Sequence, residues 1–503
     1  METRNHKSAF TIVELMVSIG LVLILMLGVS QVFKTISSTV SAGSAISDNT
    51  RLARGAQAVF AQDIGSMVVR DAPCIILHSE VRPAFRNRTD LAGDRDYLAT
   101  GSPNARDQAT RTTDINGDNQ ETDVASPGRP NYRMHRIDSF SFFTRGLFKR
   151  QTGGSVATAG TSPFIADMTS SEAWVWYGHL RIANNDGSVL VGQDPGAGTL
   201  NGLGANHNNF LSTQWVLGRE AMVLRELENG AINDRNGTPQ IYISGGGGLS
   251  PLSYGTGDMP VGTFTIQQSR YDLAATSISS YRQTLLNYIS ANPNATWWQD
   301  IFGSGGRRFQ ANPAITKPIT AASLSQQAPI FIPGCTQFIV EYAGDFVSQV
   351  DNPALPTYGN VVGWFGAANP STDDNVDFVV VNGAKRVRWY GAPRDTSGDG
   401  LVPGWIAGRL SNQMPDVVPL RDVIRTIPGE QASNGAPFEK LMATKMPPLA
   451  DYTAMALASE YECGWGPNDR KPKMIRITIV IDDPSGRNPN PDGQTFEYVF
   501  ELP

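Results

Sequence analysis

The sequence predicts an α+β protein: one long amino-terminal helix, apolar and then amphipathic, packed on a β-rich, mostly antiparallel globular head with long insertions. Three observations carry that prediction. From Leu15 to Phe33 run 19 residues without a charge. Beyond them Leu52, Ala56, Phe60, Ile64 and Val68 recur every four positions, with Val59 beside them, the spacing of one helix face. In the rest of the chain, short alternating apolar stretches lie among many of the 50 glycines and 32 prolines, the pattern of strands joined by turns.

The uncharged run comes first. At about 1.5 Å per residue, a helix of that length covers nearly all of the roughly 30 Å hydrocarbon core of a bilayer. Arg4 and Lys7 precede it, so the positive-inside rule leaves the amino terminus cytoplasmic and sends the head across. A cleaved signal peptide would use the small residues Val40-Ser41-Ala42-Gly43-Ser44-Ala45 as its cutting site. A plain signal anchor accounts for length and orientation. Neither gives a reason for Glu14, because a carboxylate in hydrocarbon costs about 3 kcal/mol unless something pairs with it.

A third reading uses Glu14. The stretch Lys7-Ser8-Ala9-Phe10-Thr11-Ile12-Val13-Glu14-Leu15-Met16-Val17 resembles the prepilin cleavage and methylation motif of type IV pilins and type II secretion pseudopilins. The resemblance implies that a prepilin peptidase removes the leader 1–9 between Ala9 and Phe10 and that Phe10 becomes N-methylated. Glu14 is then the fifth mature residue, and the charged amine of Phe10, on its own chain or a neighbouring one, satisfies the buried carboxylate and guides assembly. Residues 10–33 become the transmembrane and filament-core helix, and the partners implied are other pseudopilins or pilins in a hetero-oligomeric filament. The implied location is the bacterial inner membrane, crossed once, with a periplasmic head. The family usually has glycine before the cut, and this chain has Ala9, the next smallest residue.

Residues 34–69 continue the helix in amphipathic form, with Asn49, Arg51, Arg54, Gln57 and Gln62 assigned to its polar face. The head, 70–503, contains predicted strands at 74–78, 137–144, 173–182, 215–225, 337–342, 378–381 and 386–390. The clearest signals lie at the end. Ile475, Ile477, Ile479 and Ile481 alternate with Arg476, Thr478 and Val480, and Phe496, Tyr498, Phe500 and Leu502 alternate with Glu497, Val499 and Glu501. Each gives one apolar face, and the two pair as an antiparallel hairpin. Two polar stretches, 82–135 and 228–330, read as insertions, the second holding a helix in which Ile278, Tyr281, Leu285 and Ile289 keep helical spacing.

The order WVLGREAMVLRE, CTQFIVEYAGDF, KRVRWYG, KMIRITIVIDDP and QTFEYVFELP is similar to the larger J-type minor pseudopilins and the PilW-like minor pilins. That resemblance implies a tip-associated minor subunit with an elaborated head.

Composition limits the alternatives. Of the 503 residues, 40% are hydrophobic and 17% charged, which suits a packed body rather than a disordered one. A net charge of −6 and the lack of a lysine and arginine stripe give no footprint for nucleic acid. Among His6, His78, His135, His179 and His207 there is no H-E-x-x-H pair and no zinc spacing, and neither G-x-S-x-G nor a phosphate-binding loop occurs. No enzyme is predicted, and His179, inside WVWYGHLRI, reads as a packed or surface histidine. Asp114, Asn116 and Asp118, and again Asp395, Ser397 and Asp399, place oxygen ligands at the first, third and fifth positions of calcium-like loops, although turns built from such residues need no ion. Cys74, Cys335 and Cys463 leave two choices open, one disulfide with a thiol over or three buried thiols. The alternative function is a membrane-anchored extracytoplasmic binding protein or enzyme with an uncleaved signal anchor, for which Trp297-Trp298 would offer a sugar platform.

Overall fold

The computed structural model describes residues 12–85, 132–149, 169–179, 216–225, 273–274, 276–291, 329–365, 375–393, 417–426, 438–442, 460–481 and 493–503. Helix α1 (Ile12–Gly65) is unbroken over 54 residues, about 80 Å at the usual rise. The apolar run and the amphipathic stripe therefore belong to one rod.

Against its outer half lies a sheet that has eleven strands among the described residues. The run β1 (Ile75–Phe85), β2 (Tyr132–Lys149), β3 (Thr169–His179) and β4 (Val216–Leu224) is an antiparallel meander. On the far side of β1 come β13 (Glu460–Trp465) and then β12 (Phe438–Met442), and β4 is extended by β5 (Leu273–Ala274) and β6 (Ile330–Pro333). A second arm joins β7 (Cys335–Ala343), β14 (Met474–Ile481) and β15 (Gln494–Glu501). The arms meet at one parallel register pair, Ile137 with Phe338.

Alternation on these strands turns Leu77, Phe140, Phe142, Val175, Tyr177, Phe338, Val340, Tyr342 and the four isoleucines of β14 toward α1 in one buried cluster. The predicted terminal hairpin is present, with Ile475 opposite Phe500 and Ile479 opposite Phe496. Its β14 strand differs from expectation in one respect: Arg476 and Thr478 are as buried as the isoleucines. The reason is position, since β14 is flanked by strands on both sides and covered on both faces. Arg476 is satisfied there by Glu341 at 2.6 Å and by the ring of Trp389, 4.5 Å away.

Two small hairpins decorate the sheet, β8 (Val347–Gln349) with β9 (Val361–Trp364) and β10 (Phe378–Val381) with β11 (Ala384–Val387). The second turns through Asn382 and Gly383, both at positive φ, as a two-residue hairpin loop requires. Asp377 ties the pair together: its carboxylate accepts from the amides of Phe346 and Val347 and from Tyr390 Oη at 2.6 Å.

Helix α2 (Ile278–Ala291) realises the helix expected in the second insertion, with Ile278, Tyr281 and Leu285 buried. Ser277 Oγ accepts from the Ser280 amide at 3.1 Å, an amino-terminal cap. Helix α3 (Leu420–Arg425) is capped from elsewhere in the chain: Glu439 accepts from the Leu420 and Arg421 amides at 3.0 and 2.6 Å and from Tyr342 and Tyr461 hydroxyls. The first insertion narrows, because β1 reaches Phe85 and β2 starts at Tyr132.

Candidate functional site

Glu14 stands in the first turn of α1 and is exposed. Ala9 and Phe10 lie outside the described residues. From Ile12 to Phe33 the large apolar side chains are exposed on every side of the helix, Leu25 at 69% and Leu27 at 72% among them. The most apolar 18-residue stretch of α1 is wholly uncovered by the head. A rod apolar all round, with nothing of its own chain over it, is suited to lipid or to a bundle of like helices. By length and composition it is able to cross a membrane.

The head takes hold of α1 at Ala45. From there Ala45, Asn49, Ala53, Ala56, Phe60, Asp63 and Ile64 form the buried stripe. Arg51, Arg54, Gln57 and Gln62 are exposed, as their polar character predicts, but Asn49 is buried and belongs to the packed face. It sits four residues before Ala53, on the row that faces the sheet, so position in the helix outweighs its polarity.

Three kinds of contact fix the helix to the sheet. Phe60 is fully buried among Tyr177, Phe331, Phe338, Tyr498 and Phe500, with ring centroids 4.8 to 6.5 Å away. Tyr498 Oη donates to the Ala53 carbonyl at 2.8 Å. Asp63 accepts from Arg219 Nε at 2.6 Å and Nη2 at 2.8 Å, and from Tyr177 Oη. Burial, and next the charge of Asp63, hold the Tyr177 phenol well above its usual range, so that it stays a donor. Past the helix end, Ser66 Oγ meets Thr144 Oγ1 at 2.7 Å and the Val68 amide donates to the Phe143 carbonyl at 2.8 Å. Asp63 was not among the residues singled out from sequence. Its signal was spacing, three residues after Phe60 on the buried row.

Charge is also buried where the two arms of the sheet meet. Arg136 is fully enclosed, bonded to Asp138 at 2.8 Å, to Ser79 Oγ and to the Val340 and Ala392 carbonyls, while Asp138 accepts from the Val340 amide at 2.7 Å. Such a network fits a structural role: the guanidinium is wholly buried and its donors are taken up by neighbouring side chains and carbonyls.

His179 is packed, with Nε2 donating to the Cys335 carbonyl at 2.7 Å. Of the two choices for the cysteines, the structure has three buried thiols and no disulfide. Burial pushes the Cys74 thiol up to about 12, the opposite of a reactive thiol. The calcium-like positions Asp114, Asn116, Asp118, Asp395, Ser397 and Asp399 lie outside the described residues, as do Trp297 and Trp298. Among the described residues no group of three or more His, Cys, Asp or Glu is placed to hold a metal.

Comparison with known families places a match on the same segment. The family described as the Prokaryotic N-terminal methylation motif matches residues 4–30, which include Ala9, Phe10 and Glu14 and the first part of α1. No curated protein matches the chain, and no solved structure matches it.

Proposed function

We propose that this chain, which carries the prokaryotic N-terminal methylation motif, is a minor pilin-like structural subunit of a type II secretion pseudopilus or a type IV pilus. A prepilin peptidase cuts before Phe10 and methylates it. The exposed apolar part of α1 packs in the inner membrane and then among the helices of other pseudopilins or pilins, with the head on the periplasmic side. Glu14 sets register by pairing with a terminal amine. The observation that carries this reading is continuity: the motif opens a single unbroken helix that is uncovered and apolar at one end and locked into the sheet at the other. A rod of that kind transmits position from a helical stack to a head.

A tip location is supported by bulk, because a head of this size would crowd a repeating stack of small subunits. The strand order of the later segments supports a J-type or PilW-like minor subunit. Lys34 offers the test, since it directly follows the apolar run. Amine crosslinking in native membranes is expected to join Lys34 to the helix of another pilin-like chain. Crosslinks confined to its own chain would remove the assembly reading.

A further inference from the structure

Strand β15 forms an edge of the sheet. Among the described residues it pairs with β14 alone, without a register break from Gln494 to Glu501. Its hydrogen-bond phase follows from one contact. The Leu502 amide donates to the Lys473 carbonyl at 2.8 Å, and continuing that register makes Phe500, Tyr498, Phe496 and Gln494 the residues bonded to β14. In an antiparallel ladder such pairs alternate with non-bonded ones. The amides and carbonyls of Thr495, Glu497, Val499 and Glu501 therefore point away from β14, along an edge about 25 Å long that no other described strand covers. Thr495, Val499 and Glu501 are exposed.

Natural sheets blunt such edges with proline, lysine, bulges or short strands, and this eight-residue strand has none of them. The charges that it does carry are both negative. Glu497 stands opposite Thr478 and Glu501 opposite Met474, and Arg476, the basic residue of β14, is already held by Glu341. Among the described residues neither glutamate has an ion-pair partner. A second copy docking antiparallel about Val499 would set Glu497 against Glu501, a like-charge pairing that disfavours it. A strand with basic residues at alternate positions satisfies the backbone row and the exposed Glu501 carboxylate, and sets a positive charge beside the half-buried Glu497.

We propose that the outer edge of β15 accepts an extended basic segment of a partner protein by β-strand addition. This surface is independent of how the chain is anchored.

The test uses the full chain in detergent micelles and an eight-residue capped peptide alternating lysine and valine, with a glutamate–valine peptide as control. Saturable binding of the lysine peptide is expected, at least tenfold tighter than the control. The amides of Thr495, Glu497, Val499 and Glu501 are expected to exchange rapidly in the free protein and at least tenfold more slowly in the complex. Val499→Pro removes an outward amide and no ladder bond, so it is expected to fold and to bind at least tenfold more weakly. Should that variant fail to fold, Glu497→Lys with Glu501→Lys is the substitute, and its preference is expected to turn to the glutamate peptide. Amides already protected in the free protein, no binding of the lysine peptide, equal binding of both peptides, or undiminished binding by a folded Val499→Pro would each overturn the proposal, as would an unchanged preference in the double variant.

Discussion

Asp63 of α1 and Arg219 of β4 form a bidentate ion pair, at 2.6 and 2.8 Å, across the boundary between the long helix and the sheet. Side-chain exposure is 4% for the aspartate and 24% for the arginine, so the carboxylate is buried and the guanidinium part-buried, and losing the aspartate leaves Arg219 and Tyr177 without their acceptor. Asp63→Ala is expected to destabilise the protein by about 3 kcal/mol. Denaturant titration of the full chain in micelles measures this. A change within about 0.5 kcal/mol, the range of an ordinary surface substitution, would show that the pair contributes little.

Phe60 tests the apolar part of the same junction. Its ring is fully buried against five aromatic neighbours. Phe60→Ala removes that volume and leaves a cavity, with an expected loss of about 4 kcal/mol. Because Phe60 and Asp63 share Tyr177 as a neighbour, the double variant is expected to depart from additivity.

How much of this was legible in sequence depended on whether pattern and environment agreed. The terminal hairpin could be read because apolar alternation marks the face that packs toward α1, the β10 strand because it is a short apolar run, and the α2 helix because helical spacing matches burial. The apolar span was readable from its length without a charge. Strands β12 and β13 and helix α3 escaped because they are short, and because Glu439, Tyr461 and Glu462 are polar yet buried, so no apolar pattern marks them. Arg136, Arg476, Asp63 and Asn49 invert the rule that charged and amide side chains lie outside. The burial of Arg136, Arg476 and Asp63 depends on partners from distant segments, and that of Asn49 on its place in the packed row; a local pattern carries no record of such partners.

The Asp377 carboxyl gives a pH dependence with a defined sign. Burial lifts it from 3.8 to about 7, against the pull of its donors Tyr390, Val347 and Phe346 and with help from the charge of Asp345. A folded-state value above the unfolded one means that the native state holds the extra proton between about pH 4 and 7. Its contribution is therefore full below about pH 4 and is lost as pH rises through about 7. Asp377→Asn is expected to flatten the stability profile over that window, read from denaturation at pH 5, 6 and 7. An unchanged slope would assign the dependence to another group.

Glu14→Ala separates anchoring from assembly. The apolar run is intact in this variant, so membrane extraction is expected to be unchanged, while co-purification with pilin-like partners is expected to fall about tenfold or more, the equivalent of one lost charge-assisted contact of about 1.5 kcal/mol. Undiminished co-purification would remove Glu14 from register setting.

The amino-terminal peptide of the protein, extracted from the membrane of its native host and weighed by mass spectrometry, tests the central claim most directly. The account predicts a chain beginning at N-methylated Phe10. A chain still beginning at Met1, or one beginning after Ala42 or Ala45, would contradict it.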